Sequence, residues 1–338
     1  MRPLTPRRIV GICAVLAGVL FLVVVLSLKV GAYPISVSDV TMTLVRGALG
    51  HWNSIPSSDR LIVFGLRLPR IALGILVGAA LSVSGASFQA LLRNPLADPY
   101  VLGVSSGAAL GAILSLVWLQ QFPWSMQALA FLGALATIAA VYFLGRRKGQ
   151  LDSTTLLLAG IITASFLSAV IMFLMTTVSG RDLRGMAFWL MGDLATPPAI
   201  GLGFLFVILL IGIGAIYTTS SDLNLILTGE KEAHHLGVNV PRVKLVVYVS
   251  ASLLTGLAVS VSGAIGYVGL LVPHVIRMLF GSDYRLLIPA SAIGGAIAVA
   301  LADTLARTIV APTELPVGAM TAAIGAPVFI YLLRRRFA

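Results

Sequence analysis

The sequence predicts an all-α polytopic membrane protein with ten transmembrane helices. Three observations predict this fold class: 58% of the 338 residues are hydrophobic, the mean hydropathy is +1.02, and apolar runs of membrane length alternate with polar segments. A soluble domain could not bury that much apolar surface. The formal charge of +11 does not indicate nucleic-acid binding, because the basic residues stand singly or in small groups between the apolar runs, as topology signals do.

The first apolar run, Ile9 to Leu28, has 20 residues without a charge and follows Arg2, Arg7 and Arg8. It is too long for the apolar part of a secretory signal and long enough to span a bilayer. We therefore expect a retained first span with its N-terminus in the cytoplasm. The single cysteine, Cys13, lies in this run, which excludes a disulfide framework.

The apolar runs number nine, and one of them has double length. The run from Leu245 to Phe280 is 36 residues long and has Ser262, Gly263 and Gly266 near its middle, so we expect it to fold back and form two spans. The nine runs are 9–28, 62–91, 100–118, 125–145, 154–179, 198–218, 245–280, 286–306 and 316–333.

Ten spans place both termini on one side of the membrane, and the basic residues indicate that this side is the cytoplasm. Fifteen basic residues then lie inside and eight outside, in agreement with the positive-inside rule. The inner set is Arg2, Arg7, Arg8, Arg93, Arg146, Arg147, Lys148, Lys231, Arg242, Lys244, Arg277, Arg285, Arg334, Arg335 and Arg336. The outer set is Lys29, Arg46, Arg60, Arg67, Arg70, Arg181, Arg184 and Arg307. The long outer loop from Val30 to Leu61 is expected to carry a short surface helix.

Glycine spacing predicts close helix packing within the membrane. Gly74 and Gly78, like Gly107 and Gly111, form small-xxx-small pairs that let neighbouring backbones approach each other. Prolines inside the runs predict kinks or half-helices. These prolines are Pro69, Pro273, Pro289 and Pro327.

The longest polar interruption in the second half of the chain is Ser221 to Lys244, here called the inner segment. It is expected to form two short helices, the first capped by Asp222, with a break at Gly229 and a C-terminal stop at Gly237. One interpretation is a helix lying among the lipid head groups. The other is a docking element for a cytosolic partner, since a mere connection could be shorter. Its predicted contact residues are Asp222, Leu223, Leu227, Gly229, Glu230, Ala233, Leu236 and Gly237.

The chain carries little that suggests catalysis. It has no phosphate-binding Gly-x-x-x-x-Gly-Lys-[Ser/Thr] loop, so it is not expected to hydrolyse a nucleotide itself. The adjacent His234 and His235 lack the spacing of a metal pair, and His274 is isolated, so no metal site is expected. Asp303 and Arg307 stand four residues apart and can pair on one helix face. Such sparse intramembrane carboxylates argue against an ion-coupled carrier.

Three arginines on the outer side depart from the positive-inside trend. Arg67 and Arg70 lie at the start of the second span, and Arg307 follows the ninth. They could extend their charged ends towards lipid head groups. Alternatively, they form a basic cluster that binds an acidic partner, because arginine makes bidentate pairs with carboxylates.

Several stretches together resemble the FecCD-type permeases, the membrane subunits of bacterial ATP-driven importers for ferric siderophores, haem and vitamin B12. The likeness extends over nearly the whole chain after residue 60, with its blocks in the family's order. The stretches are RLPR (67–70), GAALSVSGASFQALLRNPLADPYVLGVSSGAALG (78–111), LLLAG (156–160), FWLMG (188–192), TGEKEAHHLG (228–237), GAIGYVGLLVPHVIR (263–277), LADTLAR (301–307) and ELPVGAMTAAIGAPVFIYLL (314–333).

The resemblance implies a single ten-helix permease domain over residues 1–338, with the type II ABC importer fold, in the bacterial cytoplasmic membrane. Its implied partners are a second permease copy, two cytosolic ATPase subunits that bind ATP and Mg, a periplasmic or lipid-anchored binding protein, and membrane lipid. This chain would bind no cofactor. The resemblance assigns the inner segment to the ATPase and Arg67, Arg70 and Arg307 to the binding protein. It places the translocation path beside the fifth span, where Thr163, Ser165 and Ser168 could line it.

The resulting hypothesis is a non-enzymatic permease subunit that imports an iron chelate, such as a ferric siderophore, by alternating access. Vitamin B12 and haem are alternative cargoes within the same family. A more distant alternative is an ion-coupled secondary carrier that works without an ATPase. An intramembrane enzyme would need a polar catalytic set inside the membrane, and the sequence offers none.

Overall fold

A computed structural model gives the fold of the chain. It describes residues 5–337 except 32, 34, 120, 123, 148–149, 179 and 197–200. Arg2 and Lys148 of the inner basic set, and the first residues of the run 198–218, lie outside the described residues.

The described chain is almost entirely helical. Its α-helices, in chain order, are α1 (Pro6–Lys29), α2 (Val37–Ala48), α3 (Ser57–Arg60), α4 (Leu68–Leu91), α5 (Val104–Trp118), α6 (Ser125–Leu144), α7 (Ser153–Thr177), α8 (Gly180–Met191), α9 (Leu202–Thr218), α10 (Ser220–Thr228), α11 (Glu230–His235), α12 (Val240–Ser262), α13 (Val268–Phe280), α14 (Tyr284–Ala306) and α15 (Val317–Phe337). Two 3₁₀ helices cover Trp52–Ser54 and Pro99–Leu102, and a π-helix covers Leu61–Arg67. Two short antiparallel strands, β1 (Arg146–Arg147) and β2 (Gln150–Leu151), form a hairpin.

The predicted apolar runs correspond to helices in the predicted order, which confirms the all-α polytopic fold class. Within the described residues, six helical stretches are long and apolar enough to cross a membrane, and α9 with α10 makes a seventh across a bend of 46°. Two further apolar helices, α5 and α13, are shorter, and α15 has a shorter apolar stretch over Val317–Leu332. The double-length run folds back as expected, because α12 ends at Ser262 and Gly263 adopts a φ of +65°.

The helix α4 forms the centre of the molecule. Of the apolar window in Ser57–Leu91, 83% is buried, against 6% of the corresponding window in α1. Helices α9, α12, α13 and α14 pack around α4. The remaining apolar surface, which includes most of α1 and α7, faces outwards, as expected of a multi-pass membrane protein whose outer faces meet lipid or another subunit.

Glycines bring the central helices into backbone contact. A Cβ on Gly78 would overlap the carbonyl of Gly295 in α14, and a Cβ on Gly111 would overlap the carbonyl of Leu129 in α6. Gly107 likewise faces the carbonyl of Gly133. The prediction of close packing is therefore confirmed at these positions. Gly74 differs, since a Cβ there would make only ordinary van der Waals contacts.

The prolines do not divide the helices into halves. Pro69 lies in the first turn of α4, directly after the π-helical segment, in which Leu68 N–H bonds to Val63 O. This wider turn suits a residue that has no N–H to donate. Other prolines stand inside continuous helices. They are Pro273 in α13, Pro289 in α14 and Pro327 in α15.

The outer loop carries the expected surface helix as α2, which Ser36 caps by accepting a hydrogen bond from Asp39 N–H. Val40 of α2 packs in a small separate cluster with Leu28, Val63 and Ile71. The loop is thus folded onto the outer ends of α1 and α4.

Candidate functional site

The inner segment forms the two short helices α10 and α11, as predicted. Gly229 separates them, and Gly237, with a φ of +88°, follows the end of α11. The prediction that Asp222 caps α10 is wrong. The N-cap is Thr219, without a side-chain cap bond, because α10 continues directly from α9 after the bend and Asp222 already lies in its first turn.

The apolar residues of the inner segment divide between its two faces. Leu223 and Ala233 are buried against the rest of the chain, whereas Leu227 is 40% and Leu236 66% exposed. The charged or polar side chains of α11 around them are also exposed, among them Lys231, Glu232, His234 and His235. The segment therefore presents a mixed apolar and charged surface that could bind another protein.

Side-chain hydrogen bonds fix the inner segment to the transmembrane helices. Asn224 Nδ2 donates to Asp283 Oδ1 at 2.9 Å, and Asn224 Oδ1 accepts from the N–H of Tyr284 at 2.9 Å. Arg93 Nη2 donates to the carbonyl of Ile226 at 2.7 Å. The segment cannot move without disturbing the first turn of α14 or the end of α4.

Asp283 is the N-cap of α14 and lies in the loop before it. The hydrogen bonds that it accepts, first from the Arg285 side chain and then from Asn224, lower the pKa of its carboxyl group from 3.8 to about 2, although partial burial opposes the shift. Asp283 is therefore ionised at neutral pH, and a charge-assisted hydrogen bond joins α10 to α14.

The opposite end of α14 belongs to the outer cluster, which consists of Arg67, Arg70, Asp303, Arg307 and Glu314. Arg70 Nε contacts Asp303 Oδ1 at 2.8 Å, and Arg70 Nη1 contacts Glu314 Oε2 at 2.6 Å. Arg307 Nε lies 3.0 Å from Asp303 Oδ2, which confirms the predicted pair four residues apart. One helix thus carries Asp303 at its outer end and meets Asn224 at its inner end.

Arg67 has a different set of partners. Its Nη1 donates to the carbonyl oxygens of Leu28 at 2.6 Å and Lys29 at 3.2 Å, and its Nη2 donates to the carbonyl of Tyr33. Arg67 therefore holds the chain that leaves α1 against the start of α4.

The structure brings the three predicted docking arginines to one end but buries them. Arg67 and Arg307 are each 5% exposed and Arg70 is 8% exposed. Glu314 is the accessible member of the outer cluster, with 47% of its side chain exposed. A carboxylate from outside would reach the guanidinium of Arg70 at the edge that Glu314 occupies.

The predicted path residues lie on α7. Ser165 and Ser168 are exposed and Thr163 is half-buried. Ser165 Oγ donates to the carbonyl of Ile161 at 2.9 Å, four residues earlier in the helix. A hydroxyl bonded in this way can still accept a hydrogen bond from a passing solute.

The sequence did not reveal the roles of Asn224 and Arg93. An Asp before an apolar run, as at Asp283, signals a helix N-cap. Nothing in the pattern, however, points from Asp283 to a residue 59 positions earlier. Among the described residues, no group of three or more His, Cys, Asp or Glu side chains is placed to hold a metal ion.

Comparisons with known proteins show the family of the chain. The FecCD transport family matches residues 19–335. The cobalamin import permease of Halobacterium salinarum is 43% identical over 83% of this chain and 76% of its own length. The hemin transport permease of Yersinia pestis is 38% identical over 98% of this chain and 96% of its own length. A solved structure described as an inward-facing metal-chelate type ABC transporter superposes with a TM-score of 0.82 and 33% identity, over 96% of this chain and 99% of the other.

Proposed function

The chain belongs to the FecCD transport family of ABC transporter permeases, and from this premise we propose that it imports an iron chelate, such as a ferric siderophore, by alternating access. Permeases of this family are not catalytic. ATP and Mg are bound by two cytosolic ATPase subunits, while the cargo passes unchanged between two copies of this chain in the bacterial cytoplasmic membrane. Both termini lie in the cytoplasm.

One observation carries the proposal of ATP coupling. The inner segment exposes Leu227 and Leu236, yet Asn224 fixes it to α14. An ATPase subunit that covers the exposed face can therefore displace α14 and α4 when it closes. The residues proposed to couple to the ATPase are those predicted from the sequence. Leu223 and Ala233 among them are buried, so they support the contact surface by packing beneath it and do not touch the ATPase.

At the outer end, a binding protein docks through its carboxylates. Because Arg70 already pairs with Asp303 and Glu314, docking exchanges partners instead of filling free guanidinium groups. A carboxylate of the binding protein takes the place of Glu314 on Arg70. Arg307 and Arg67 are buried beneath this edge, where their positive charges attract the incoming carboxylate. They also keep the outer ends of α14 and α1 in position.

The second permease copy covers part of the exposed apolar surface of α7. Ile162, Phe166 and Phe173 are each more than 60% exposed on this helix. Thr163, Ser165 and Ser168 supply hydroxyl groups on the same helix and line the path between the copies. This assignment explains why a helix with so many exposed large apolar residues also carries polar ones.

The structural neighbour is described as a metal-chelate type transporter, which supports a metal chelate as the cargo, and the family resemblance favours an iron chelate among these. Relatives of similar identity import cobalamin or hemin, which are metal chelates too. Cobalamin and haem therefore remain the alternative cargoes, and direct uptake has to distinguish them.

The test is uptake into liposomes that contain the permease with its cognate ATPase subunits, in the presence of the binding protein. Radioactive ferric siderophore, labelled cobalamin and hemin are supplied in parallel. We expect ATP-dependent accumulation of the iron chelate and stimulation of ATP hydrolysis by the loaded binding protein. A Walker-lysine variant of the ATPase is the control, since it should abolish accumulation.

Two outcomes would contradict different parts of the proposal. ATP-dependent uptake of cobalamin or hemin alone would show that the proposed cargo is wrong, while the proposed ATP-driven mechanism would still hold. Uptake by the permease without any ATPase, driven by an imposed proton or sodium gradient, would replace the importer by an ion-coupled carrier. The ion-coupled carrier would need a buried carboxylate that can bind the coupling ion. The buried carboxylate of Asp303 is already paired with two arginines, which argues against this carrier.

A further inference from the structure

A cavity of about 570 Å³ opens on the inner side, between the end of α6, the hairpin of β1 and β2, α11 and the start of α12. Among its lining residues, only Glu230 belongs to the ATPase contact residues proposed above. Its volume is many times the roughly 30 Å³ of a water molecule, so it can hold a polar group with its hydration water. Its polar lining consists of Arg146, Glu230, Lys231, His234, Arg242 and Lys244.

The lining carries an excess of positive charge. Lys244 Nζ pairs with Glu230 Oε1 at 2.7 Å, so these two charges compensate each other. The guanidinium of Arg146 lies 5.3 Å from the ring centre of Tyr142, over its face. Lys231 and Arg242 are exposed and have no carboxylate partner in the part of the chain that the structure describes. The side chains of Lys231 and Arg242 therefore remain for an anion.

The position of the cavity favours a ligand that belongs to the membrane. It lies where α6 ends and α12 begins, which places it at the boundary between the apolar spans and water. Apolar side chains continue outwards from it along these two helices. Phe143 and Leu144 are 70% and 61% exposed, and Leu245, in the cavity wall, is 41% exposed. A free phosphate would use only the basic part of this surface.

We propose that the cavity binds the phosphate head group of an anionic phospholipid of the inner leaflet, with its acyl chains along α6 and α12. Basic pockets between transmembrane helices on the cytoplasmic side suit such head groups, since Lys and Arg donate to the phosphate while the apolar rim meets the chains. Lys231 and Arg242 make the specific contacts, and Arg146 closes the hairpin side. The inference depends on the prediction that this end of the molecule faces the cytoplasm. It does not depend on the proposed cargo or on the proposed coupling to ATP hydrolysis.

The test measures lipid selectivity of the full-length permease in bilayers of phosphatidylcholine with a minority of phosphatidylglycerol. Spin-labelled phosphatidylglycerol and phosphatidylcholine report the association constants of lipids at the protein surface. The wild type should prefer phosphatidylglycerol. Arg242→Gln should lower this preference about fivefold, and Lys231→Gln with Arg242→Gln should remove it, because each basic residue near the surface contributes about that factor.

Arg334→Gln is the matched control. Arg334 is an exposed inner-side arginine on α15 that does not line the cavity, so its loss removes the same charge without touching the site. Equal losses in Arg334→Gln and Arg242→Gln, or a wild type without preference for phosphatidylglycerol, would overturn the proposal. Displacement of the labelled lipid by inorganic phosphate at millimolar concentration would also overturn it and assign the cavity to a soluble anion. The substituted side chains are exposed, so the variants should fold, and the thermal unfolding midpoint checks this.

Discussion

Arg70, Asp303 and Arg307 of the outer cluster are each at most 8% exposed, whereas Lys231, Glu232 and His234 on α11 of the inner segment are all exposed. Both regions are proposed to bind a partner protein, but they offer it different surfaces. The outer cluster gives a partner one accessible carboxylate, Glu314, in front of paired arginines. The inner segment gives it a broad face with two exposed leucines.

The difference separates two roles of charge in this fold. A buried guanidinium must be paired, because an isolated charge taken out of water costs several kcal/mol. The outer arginines therefore contribute first to the fold and can bind a partner only by exchanging carboxylates. The exposed charges of the inner segment contribute little to stability and are available for binding.

The largest expected effect concerns the outer cluster. Asp303→Asn removes the carboxylate between Arg70 and Arg307 and leaves two buried cations facing each other, so we expect a loss of about 3–5 kcal/mol in stability. The measurement is the thermal unfolding midpoint of the purified permease in detergent. Glu232→Gln, at an exposed position of the inner segment, is the control and should not change the midpoint.

A double variant sharpens this prediction. In Asp303→Asn, Arg70 keeps its pair with Glu314 and Arg307 loses its carboxylate partner. Adding Arg307→Gln removes that unpaired cation, so the double variant should be more stable than Asp303→Asn alone. If Asp303→Asn unfolded no earlier than Glu232→Gln, the ionic pairs of the outer cluster would be irrelevant to the fold, and the contrast between the two regions would disappear.

The sequence predicted local features well and distant pairings poorly. The ten spans, the reversal at Gly263 and the break at Gly229 follow from hydropathy and glycine position, which are properties of short stretches. The pair of Asp303 with Arg307 could also be predicted, because the two residues stand four positions apart on one helix. The pair of Arg70 with Glu314 joins residues 244 positions apart, and only the packing of α4 against α14 brings them together.

The inner segment shows the same limit at a smaller scale. Leu223 and Leu227 stand one helical turn apart and look equivalent in the sequence, yet Leu223 is buried and Leu227 exposed. The orientation of α10 decides this, and that orientation follows from the bend after α9 and the hydrogen bonds of Asn224. Asp222 does not cap α10 because the helix begins at Ser220, so that Asp222 already lies in its first turn.

The second prediction tests whether the exposed face of the inner segment is a binding surface. Leu236→Ala should weaken binding of the ATPase subunit about tenfold, since burial of a leucine side chain at an interface contributes roughly 1.5–3 kcal/mol. The stability of the permease alone should stay within about 0.5 kcal/mol of the wild type. Equilibrium binding of the ATPase to the permease in nanodiscs gives the first value, and thermal unfolding gives the second.

Leu49→Ala provides the matched control for this prediction. Leu49 follows α2 in the outer loop and is 65% exposed, against 66% for Leu236. The same side chain is removed from a similarly open position, but on the side opposite to the ATPase. Unchanged ATPase binding by Leu236→Ala, or equal weakening by both variants, would show that this face of α11 is not the contact.

The third prediction concerns the accessible edge of the outer cluster. Glu314→Gln releases Arg70 Nη1 while Asp303 continues to hold Arg70 Nε. Stability should change by no more than about 1 kcal/mol, because the Glu314 side chain is half exposed. The binding protein should then dock about two- to fivefold more tightly, since its carboxylate no longer competes with an internal one. The measurement is the binding-protein concentration that gives half-maximal stimulation of ATP hydrolysis. Weaker docking would instead indicate that Glu314 contacts the partner directly.

The smallest expected effect is the pH dependence of the bond between the inner segment and α14. The folded-state pKa of Asp283 is lowered to about 2 from 3.8, so its stabilising contribution is present above the unfolded value and is lost as the pH falls towards 2. Asp283→Asn keeps an acceptor for Asn224 but loses the charge that Arg285 binds. The variant should therefore be less stable than the wild type, by on the order of 1 kcal/mol, at all pH values above about 5. Below about pH 4 the difference between the two unfolding midpoints should shrink, because the wild-type carboxyl group becomes protonated as well. A difference that stayed constant down to about pH 3 would show that the shape of the side chain, and not its charge, joins α10 to α14.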